Sequence, residues 1–310
     1  MASPVIIGDP TDDHVNAVAS LLGKTKPVIL DVESLALSSY MWTVDHPFAL
    51  GNEEVGSHGS DVGRGWIRRL APPGWQRGTL VGSHDSAASA AWMSLLVAVM
   101  RTSGVQWLTE VDPLVTTENK LLQAATAKQC GVDYPLTLVS DNPEVLANRF
   151  GDTFIIKPLG PSNFVEGDRA WVVFATQVNA DSAVLRTIDS LPVVAQEVLE
   201  AVRHYRVVTV GHQVWGAALD ARGLPRDWRS SQRSHRDFRE AVLPQEVESG
   251  ALRVAKRLSL GYSSQDWLES DCRCVLLDVN PAGQWLFLPE QIASAVSAAI
   301  ANWLRGNLDA

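Results

Sequence analysis

The stretch Asp278-Val279-Asn280-Pro281-Ala282-Gly283-Gln284-Trp285 carries the first decision about this chain. Residues 275–280 read as a strand, and residues two apart on a strand point to one face, so the Asp278 carboxylate and the Asn280 amide oxygen converge. Twelve residues before Asp278 stands Asp266, inside a Gln265-Asp266-Trp267-Leu268 segment that also reads as strand. If the two strands are neighbours, three oxygen donors meet with no nitrogen or sulfur among them. A small all-oxygen set suits Mg²⁺, which keeps its remaining positions for water and phosphate oxygens. A plain strand end followed by a turn has the same pattern, so the reading needs support from elsewhere in the chain.

The lysines supply some of it. The chain holds 20 Arg but only 6 Lys, so the place of each lysine is informative. Lys157 ends a Phe154-Ile155-Ile156-Lys157-Pro158 run, at the edge of a predicted buried strand. Lys120 lies in the first turn of a helix predicted over 116–131, with Thr117 as its N-cap and Gly131 as its stop. A cation withdrawn from water needs an anionic partner, and phosphate is one. Taken singly, either lysine also fits a solvated surface. Between them and the acidic residues, Ala195-Gln196-Glu197-Val198-Leu199-Glu200 reads as a strand running into a connector whose backbone suits an adenine edge.

The rest of the chain frames these residues. Residues 5–8, 14–22 and 28–31 read strand, helix, strand, the start of a small α/β domain with a parallel sheet. A Gly/Ser/Asp-rich loop or edge hairpin is expected at 51–65, then a strand end at 66–69 that delivers Arg68 and Arg69. Residues 87–100 read as a buried helix. Further strands are expected at 137–139, 154–157, 171–176 and 193–196. A hairpin joins 205–210 to 214–219 through Gly211-His212-Gln213. Helices are expected at 242–260 and 291–304. The pattern is an α/β domain followed by an α+β region whose antiparallel sheets enclose a ligand.

At 310 residues the chain is long enough for two or three modules and a substantial core. Its net charge of −9 argues against a general nucleic-acid partner, because an acidic surface repels phosphate backbone. No segment approaches the roughly 20 apolar residues of a membrane span, and residues 1–13 lack a signal-peptide pattern. Cys130, Cys272 and Cys274 include a C-x-C rather than a C-x-x-C, so reduced thiols of a cytoplasmic protein are expected. Inside the acidic total, Arg222, Arg226, Arg229, Arg233, Arg236 and Arg239 form a local basic patch. It is either a solvated loop or a capture surface for carboxylates, for which Arg forks suit better than Lys.

Taken together, the helix-borne Lys120, Ile155-Ile156-Lys157-Pro158, Gln196-Glu197, Arg206-Val207 with Val210-Gly211, and Asp278-Val279-Asn280 resemble the ATP-grasp fold. Glu118-Asn119-Lys120, Leu138-Val139-Ser140-Asp141-Asn142-Pro143, Asp227-Trp228-Arg229 and the Asp278–Trp285 string resemble one branch of it. That branch is the ATP-grasp ribosomal-peptide maturases, the microviridin-type (graspetide) ligases. The resemblance is weak before residue 66 and strong from 116 to 290. It implies an N-terminal α/β pre-ATP-grasp domain (1–115) and two α+β subdomains (116–195 and 196–310) clasping ATP, with the metal site in the last. It also implies a cytoplasmic enzyme of RiPP biosynthesis, allows for a homodimer, and names as partner a ribosomal precursor peptide with an acidic core.

Carried over by position, the family pattern has Lys120 and Lys157 hold the ATP phosphates. Glu197 receives the adenine amino group, with Gln196 and the backbone of Val198 to Glu200 beside the ring. Asp266, Asp278 and Asn280 bind Mg²⁺, Arg206 and Arg229 face the phosphates and an acyl phosphate, and Arg68, Arg69 and Arg233 touch the peptide. The implied reaction phosphorylates Asp or Glu side chains of the peptide and closes them onto Ser/Thr hydroxyls or Lys amines as macrocyclic esters or amides. Three features depart from the pattern. His204 stands where an acidic residue usually meets the ribose, Asp278 replaces a Glu, and the phosphate loop has only Gly160 and Gly167. A RimK-like or dipeptide ligase adding a free amino acid, and a non-catalytic nucleotide-binding scaffold, are the alternatives.

Overall fold

The expected opening corresponds to β1 (Val5–Ile7), α1 (Asp13–Leu21) and β2 (Val28–Leu30) in the computed structural model. The model describes residues 3–307 except 44–47, 51–52, 56–62, 72–74, 76–78, 103, 160–162, 167–168, 173–174, 183–184, 186–191, 232 and 271–272. Asp12 starts α1 by accepting from the His14 backbone N–H, and Asp31 with Ser34 forms a capping box at α2 (Val32–Leu37). The short strands β3 (Tyr40–Met41), β4 (Phe48–Leu50) and β5 (Glu53–Val55) form an antiparallel sheet, which places the edge hairpin at β4–β5. Then follow β6 (Arg64–Ile67), α3 (His84–Thr102), β7 (Gln106–Trp107) and α4 (Val111–Thr117). The first sheet is parallel, in the order β2-β1-β6-β7.

The helix expected over 116–131 is two helices. Thr117 ends α4 instead of capping, and Asn119 caps α5 (Lys120–Gln129), its Oδ1 accepting from the backbone N–H groups of Leu121 and Leu122 at 2.9 and 3.1 Å. An Asn in extended backbone one residue before the helix satisfies two donors that Thr117, still helical, leaves open. Gly131, at φ +62°, ends the helical segment as expected. The second sheet follows, with strands β8 (Thr137–Ser140), β9 (Thr153–Pro158), β12 (Thr176–Asn179) and β13 (Val193–Gln196); α6 (Pro143–Phe150) follows β8, and the hairpin of β10 (Asn163–Glu166) and β11 (Arg169–Val172) forms a two-stranded sheet of its own. The strand expected over 171–176 is therefore the end of β11 and the start of β12. The order is β12-β9-β13-β8, all antiparallel, over a small core of Leu146, Phe154, Val178, Leu185, Val193 and Ala195. The phosphate-loop glycines 160 and 167, and Cys272, lie outside the described residues.

The third sheet carries the most packing. Its elements are β14 (Arg203–Val210), β15 (Gln213–Asp220), α7 (Ser234–Asp237), β16 (Arg239–Glu240), α8 (Gln245–Arg257), β17 (Tyr262–Glu269), β18 (Cys274–Asn280) and α9 (Glu290–Leu304). They give the antiparallel order β16-β15-β14-β17-β18. In the β14–β15 hairpin Val210 pairs with Gln213, so Gly211-His212 alone makes the turn, with Gly211 at φ +56°. One face packs on α8 and α5 through Tyr205, Val207, Val254, Trp267 and Leu276. The other packs on α9, whose Ile292, Val296 and Ile300 also meet Ile6, Val15 and Trp66. The N-terminal unit and the third sheet thus share a core, centred on Trp285 and Trp303 with their indole N–H groups on Ser297 and the Gly65 carbonyl. Among the described residues no helix is long and apolar enough to cross a membrane.

Candidate active site

Register brings the acidic residues together. Asp266 on β17 pairs with Arg206 on β14 and with Asp278 on β18, so a cation and two carboxylates form one row across three strands. Directly opposed cross-strand side chains have Cβ atoms about 4.5–5.5 Å apart, close enough to share one ion. A bulge next to this row shapes it. Trp267 pairs with Leu276, while Asp266 pairs with Asp278, leaving Leu277 as the extra residue. Without it Leu276 and Asp278 would share a face; with it Leu276 is fully buried in the core and Asp278 faces the cleft.

Both carboxylates already have a cation. Lys120 Nζ lies 2.9 Å from Asp278 Oδ1, and Arg206 Nη1 lies 2.8 Å from Asp266 Oδ1. The helix that carries Lys120 is tied to β18 by Gln123, one helical turn on. The Gln123 amide donates to the Thr117 and Val279 carbonyls at 2.8 Å each and accepts from the Val279 N–H at 3.0 Å. A side chain thus takes the place of a neighbouring strand along the free edge of β18. Burial raises the Asp278 carboxyl, but Lys120 first, then Lys157 and Arg229, outweigh it and hold it below its ordinary value. Asn280 ends β18, its Oδ1 accepting from the Ala282 N–H at 3.0 Å.

The opposite wall is the second sheet. Lys157 lies on β9, and burial pushes its ammonium down to about 8, with Asp278 pulling it up and Lys120 and Arg229 pushing it down. Arg229 sits on a short 3₁₀ turn, where Asp227 grips it in a bidentate pair at 2.8 and 2.7 Å. That pair raises the guanidinium further above its ordinary value and, against burial, keeps Asp227 ionised. Between the walls is a cleft of about 750 Å³ lined by Arg69, Lys120, Lys157, His204, Arg229 and Asp278, among others. His204 is 5% exposed, burial lowers its pKa, and its Nδ1 has no hydrogen-bond partner among the described residues. A neutral imidazole offers such a nitrogen as donor or acceptor to a hydroxyl.

The connector after β13 is tied down. Gln196 is buried and donates to Thr137 Oγ1 at 3.0 Å. Glu197 Oε1 accepts from the Leu136 N–H and from Arg273 Nη2, each at 2.8 Å, so its carboxylate is engaged in the wall. Val198 is half-buried, and Arg226 spans the connector by donating to the Leu199 carbonyl at 2.8 Å and pairing with Glu200. Arg233 is exposed at the start of α7. Arg68 is a correction. It is 1% exposed, with Asp12 and the Ala282 carbonyl as partners, so a peptide on the surface cannot reach it; its neighbour Arg69 does line the cleft. The basic patch is also partly neutralised, because Arg222, Arg226 and Arg229 each hold a carboxylate.

Asp227, Gln123 and Arg273 received no role from the sequence. For Gln123 a signal existed, since three residues after Lys120 it must share that helix face. For Arg273 and Asp227 there was none beyond a charge that needs a partner. Asp266, Asp278 and Asn280 offer oxygen donors, which fits a hard cation, and two carboxylates with one amide leave positions for phosphate. Among the described residues no cluster of three or more His, Cys, Asp or Glu could hold a metal by itself.

No protein-family model and no curated protein matches the chain. Solved structures do. A RiPP-associated ATP-grasp ligase from Chryseobacterium gregarium, in complex with ADP and a leader and core peptide, superposes with a TM-score of 0.84 at 20% identity, covering 100% of this chain and 98% of its own. The fold is ATP-grasp. The macrocyclase MdnC from Microcystis aeruginosa, bound with precursor peptide MdnA, has this fold too, with a TM-score of 0.81, 20% identity and coverage of 98% and 99%. A RimK domain ATP-grasp protein from Sphaerobacter thermophilus superposes less well, at 0.60 and 13% identity over 97% and 98%. The cleft lies between the second and third sheets, with Asp266 and Asp278 in its lining and Arg206 buried beside Asp266.

Proposed function

We propose that this chain is an ATP-dependent carboxylate ligase of ribosomal-peptide maturation, cytoplasmic, with an acidic precursor peptide as its substrate. The observation that carries the reading is the cleft itself. Three cations of its lining, Lys120, Lys157 and Arg229, stand with two carboxylates and an amide, the complement a polyphosphate with a divalent ion requires, and Arg206 is paired to Asp266 behind them. Full-length likeness to ligases solved with precursor peptides, closer than to the RimK protein, supports a peptide over a free amino acid as the second substrate. The division at 115 and 195 follows the family pattern, although α5, which carries Lys120, packs on the third sheet.

In this reading the nucleotide lies between the walls. The Glu197 backbone takes the adenine amino group, with Gln196, Val198 and Glu200 beside the ring, and His204 bonds the ribose. Lys120 leaves Asp278 for the phosphates, and Lys157 meets them from β9. Asp266, Asp278 and Asn280 would hold Mg²⁺, which would supply charge neutralisation to the phosphates. A peptide carboxylate oxygen attacks the γ-phosphorus and ADP leaves. Arg229, preset by Asp227, holds the acyl phosphate while a hydroxyl or amine attacks its carbonyl carbon, loses a proton and expels phosphate. Arg69 and Arg233 contact the peptide. No protein nucleophile enters.

Mass spectrometry of a short acidic precursor, co-expressed from a neighbouring reading frame, tests this. Loss of one water per ring is expected. A mass gain of one amino acid would replace the reading with a RimK-like or dipeptide ligase, and no ATP consumption with any peptide would favour a nucleotide-binding scaffold.

A further inference from the structure

β18 is an edge strand, and Asn280 is its last residue. Such an end frays unless something holds it. Here the strap that follows, Pro281 to Trp285, is held at successive backbone groups by different side chains. The Ala282 carbonyl accepts from Arg68 Nη1, the Gly283 carbonyl from Tyr262 Oη at 2.7 Å, and the Gln284 carbonyl from Arg206 Nη2 at 3.1 Å. The Trp285 N–H donates to His14 Nε2 at 3.3 Å. Gly283 shows how closely the strap lies against β17 and β14: a Cβ there would fall 2.5 Å from Ser264 Cβ and 3.0 Å from Arg206 Nη2.

Two of these holders, Arg68 and His14, come from the N-terminal unit, 214 and 271 residues from the atoms they hold. Both converge on Asp12. Its Oδ1 lies 2.9 Å from His14 Nδ1 and accepts from the His14 N–H at 2.7 Å, while Oδ2 lies 3.3 Å from Arg68 Nε. A backbone N–H can only donate, so His14 Nε2 is the lone-pair nitrogen and the ring proton sits on Nδ1, facing Asp12. A guanidinium as buried as Arg68 needs an anion, and Asp12 supplies it. None of the three lines the cleft, whereas Pro281 and Ala282 do.

We infer that Asp12, His14 and Arg68 are positioning residues for the ligase: by clamping the strap they hold Asn280 and Asp278 at the spacing that receives the metal–nucleotide complex. The inference rests on the reading of Asp266, Asp278 and Asn280 as metal ligands. The N-terminal unit, on this view, completes the metal wall from behind without touching substrate.

Mn²⁺ serves as the probe, titrated into the full chain with saturating ADP and followed by the electron paramagnetic resonance of the free ion. Arg68→Met and His14→Ala are expected to weaken Mn²⁺ about tenfold, the loss of one hydrogen bond involving a charged or buried group. ADP affinity in chelator should stay within about twofold of wild type, because the nucleotide walls are untouched. Arg68→Lys should recover part of the Mn²⁺ affinity. Unchanged Mn²⁺ binding in both folded variants overturns the clamp, and so does an equal loss of metal-free ADP binding, which would mean general loosening. If Arg68→Met does not fold, His14→Ala decides, since it leaves the Asp12–Arg68 pair in place. A wild-type chain that binds ADP but no Mn²⁺ overturns the metal assignment, and the clamp with it.

Discussion

On the third-sheet wall of the cleft each carboxylate has its own cation, Lys120 on Asp278 and Arg206 on Asp266, whereas on the second-sheet wall Lys157 has no carboxylate within ion-pair distance among the described residues. The cores behind the walls differ in the same sense. The third sheet is packed on both faces, with Trp267, Trp285 and Trp303 fully buried. The second sheet rests on a small cluster around Leu146 and Phe154, and most residues of β8 and β9 are half-buried. Local stability follows buried contacts, so the lower barrier to opening lies on the second-sheet side. One wall is electrostatically preset and packed on both faces. The other holds a cation with no carboxylate at ion-pair distance among the described residues, ready for phosphate, over a smaller described core.

The strongest way to break this comparison is to remove the preset wall. Asp278→Ala combined with Asn280→Ala should lower turnover by roughly 10³-fold or more, measured as ADP release with a precursor peptide. Full activity would refute the metal assignment. Arg229→Ala tests the cleft's mouth and is expected to lose about 10²-fold in product formation while ADP binding in chelator persists. Unchanged turnover would sink its role on the acyl phosphate. Leu146→Ala and Leu276→Ala, both at fully buried leucines, should each cost about 2–5 kcal/mol by denaturant melts. Hydrogen exchange then separates them: Leu146→Ala should expose β8–β13 alone, and Leu276→Ala the whole chain. Matching patterns would erase the contrast between the walls.

The smallest effect is a proton. With its pKa near 8, Lys157 is half neutral at pH 8, and phosphate contact favours the charged form. Metal-free ADP binding at pH 8 should therefore take up about half a proton, and affinity should fall as pH rises through 8. Calorimetry in two buffers of different ionisation enthalpy reads this directly. No uptake would mean that Lys157 does not meet the phosphates.

Much of the site was legible because its residues lie on regular elements. Alternation along 275–280 put Asp278 with Asn280, and the strand pattern at 265–268 made Asp266 a plausible neighbour; the structure pairs those strands. The turn at Gly211 and the helix stop at Gly131 were readable from backbone freedom alone. The cap of α5 was not, because Thr117 and Asn119 are both good capping residues, and only the path of α4 decides between them. Arg68 was misplaced for a similar reason. A pair of adjacent arginines after a strand looks exposed until Asp12, 56 residues earlier, is brought beside one of them.

The sequence by itself determined most of the major strands and helices and the donor chemistry of the cleft, while the pairing of its acidic with its basic residues came from the fold. The first two were legible because side-chain type and short spacing follow from covalent geometry. Only the tertiary structure decided that Leu277 is the bulge residue, that Gln123 occupies the edge of β18, and that the strap 281–285 is clamped from the N-terminal unit. Each of these depends on contacts between residues nine or more positions apart. Their energies are settled by the whole packed core, and no local window of sequence contains it.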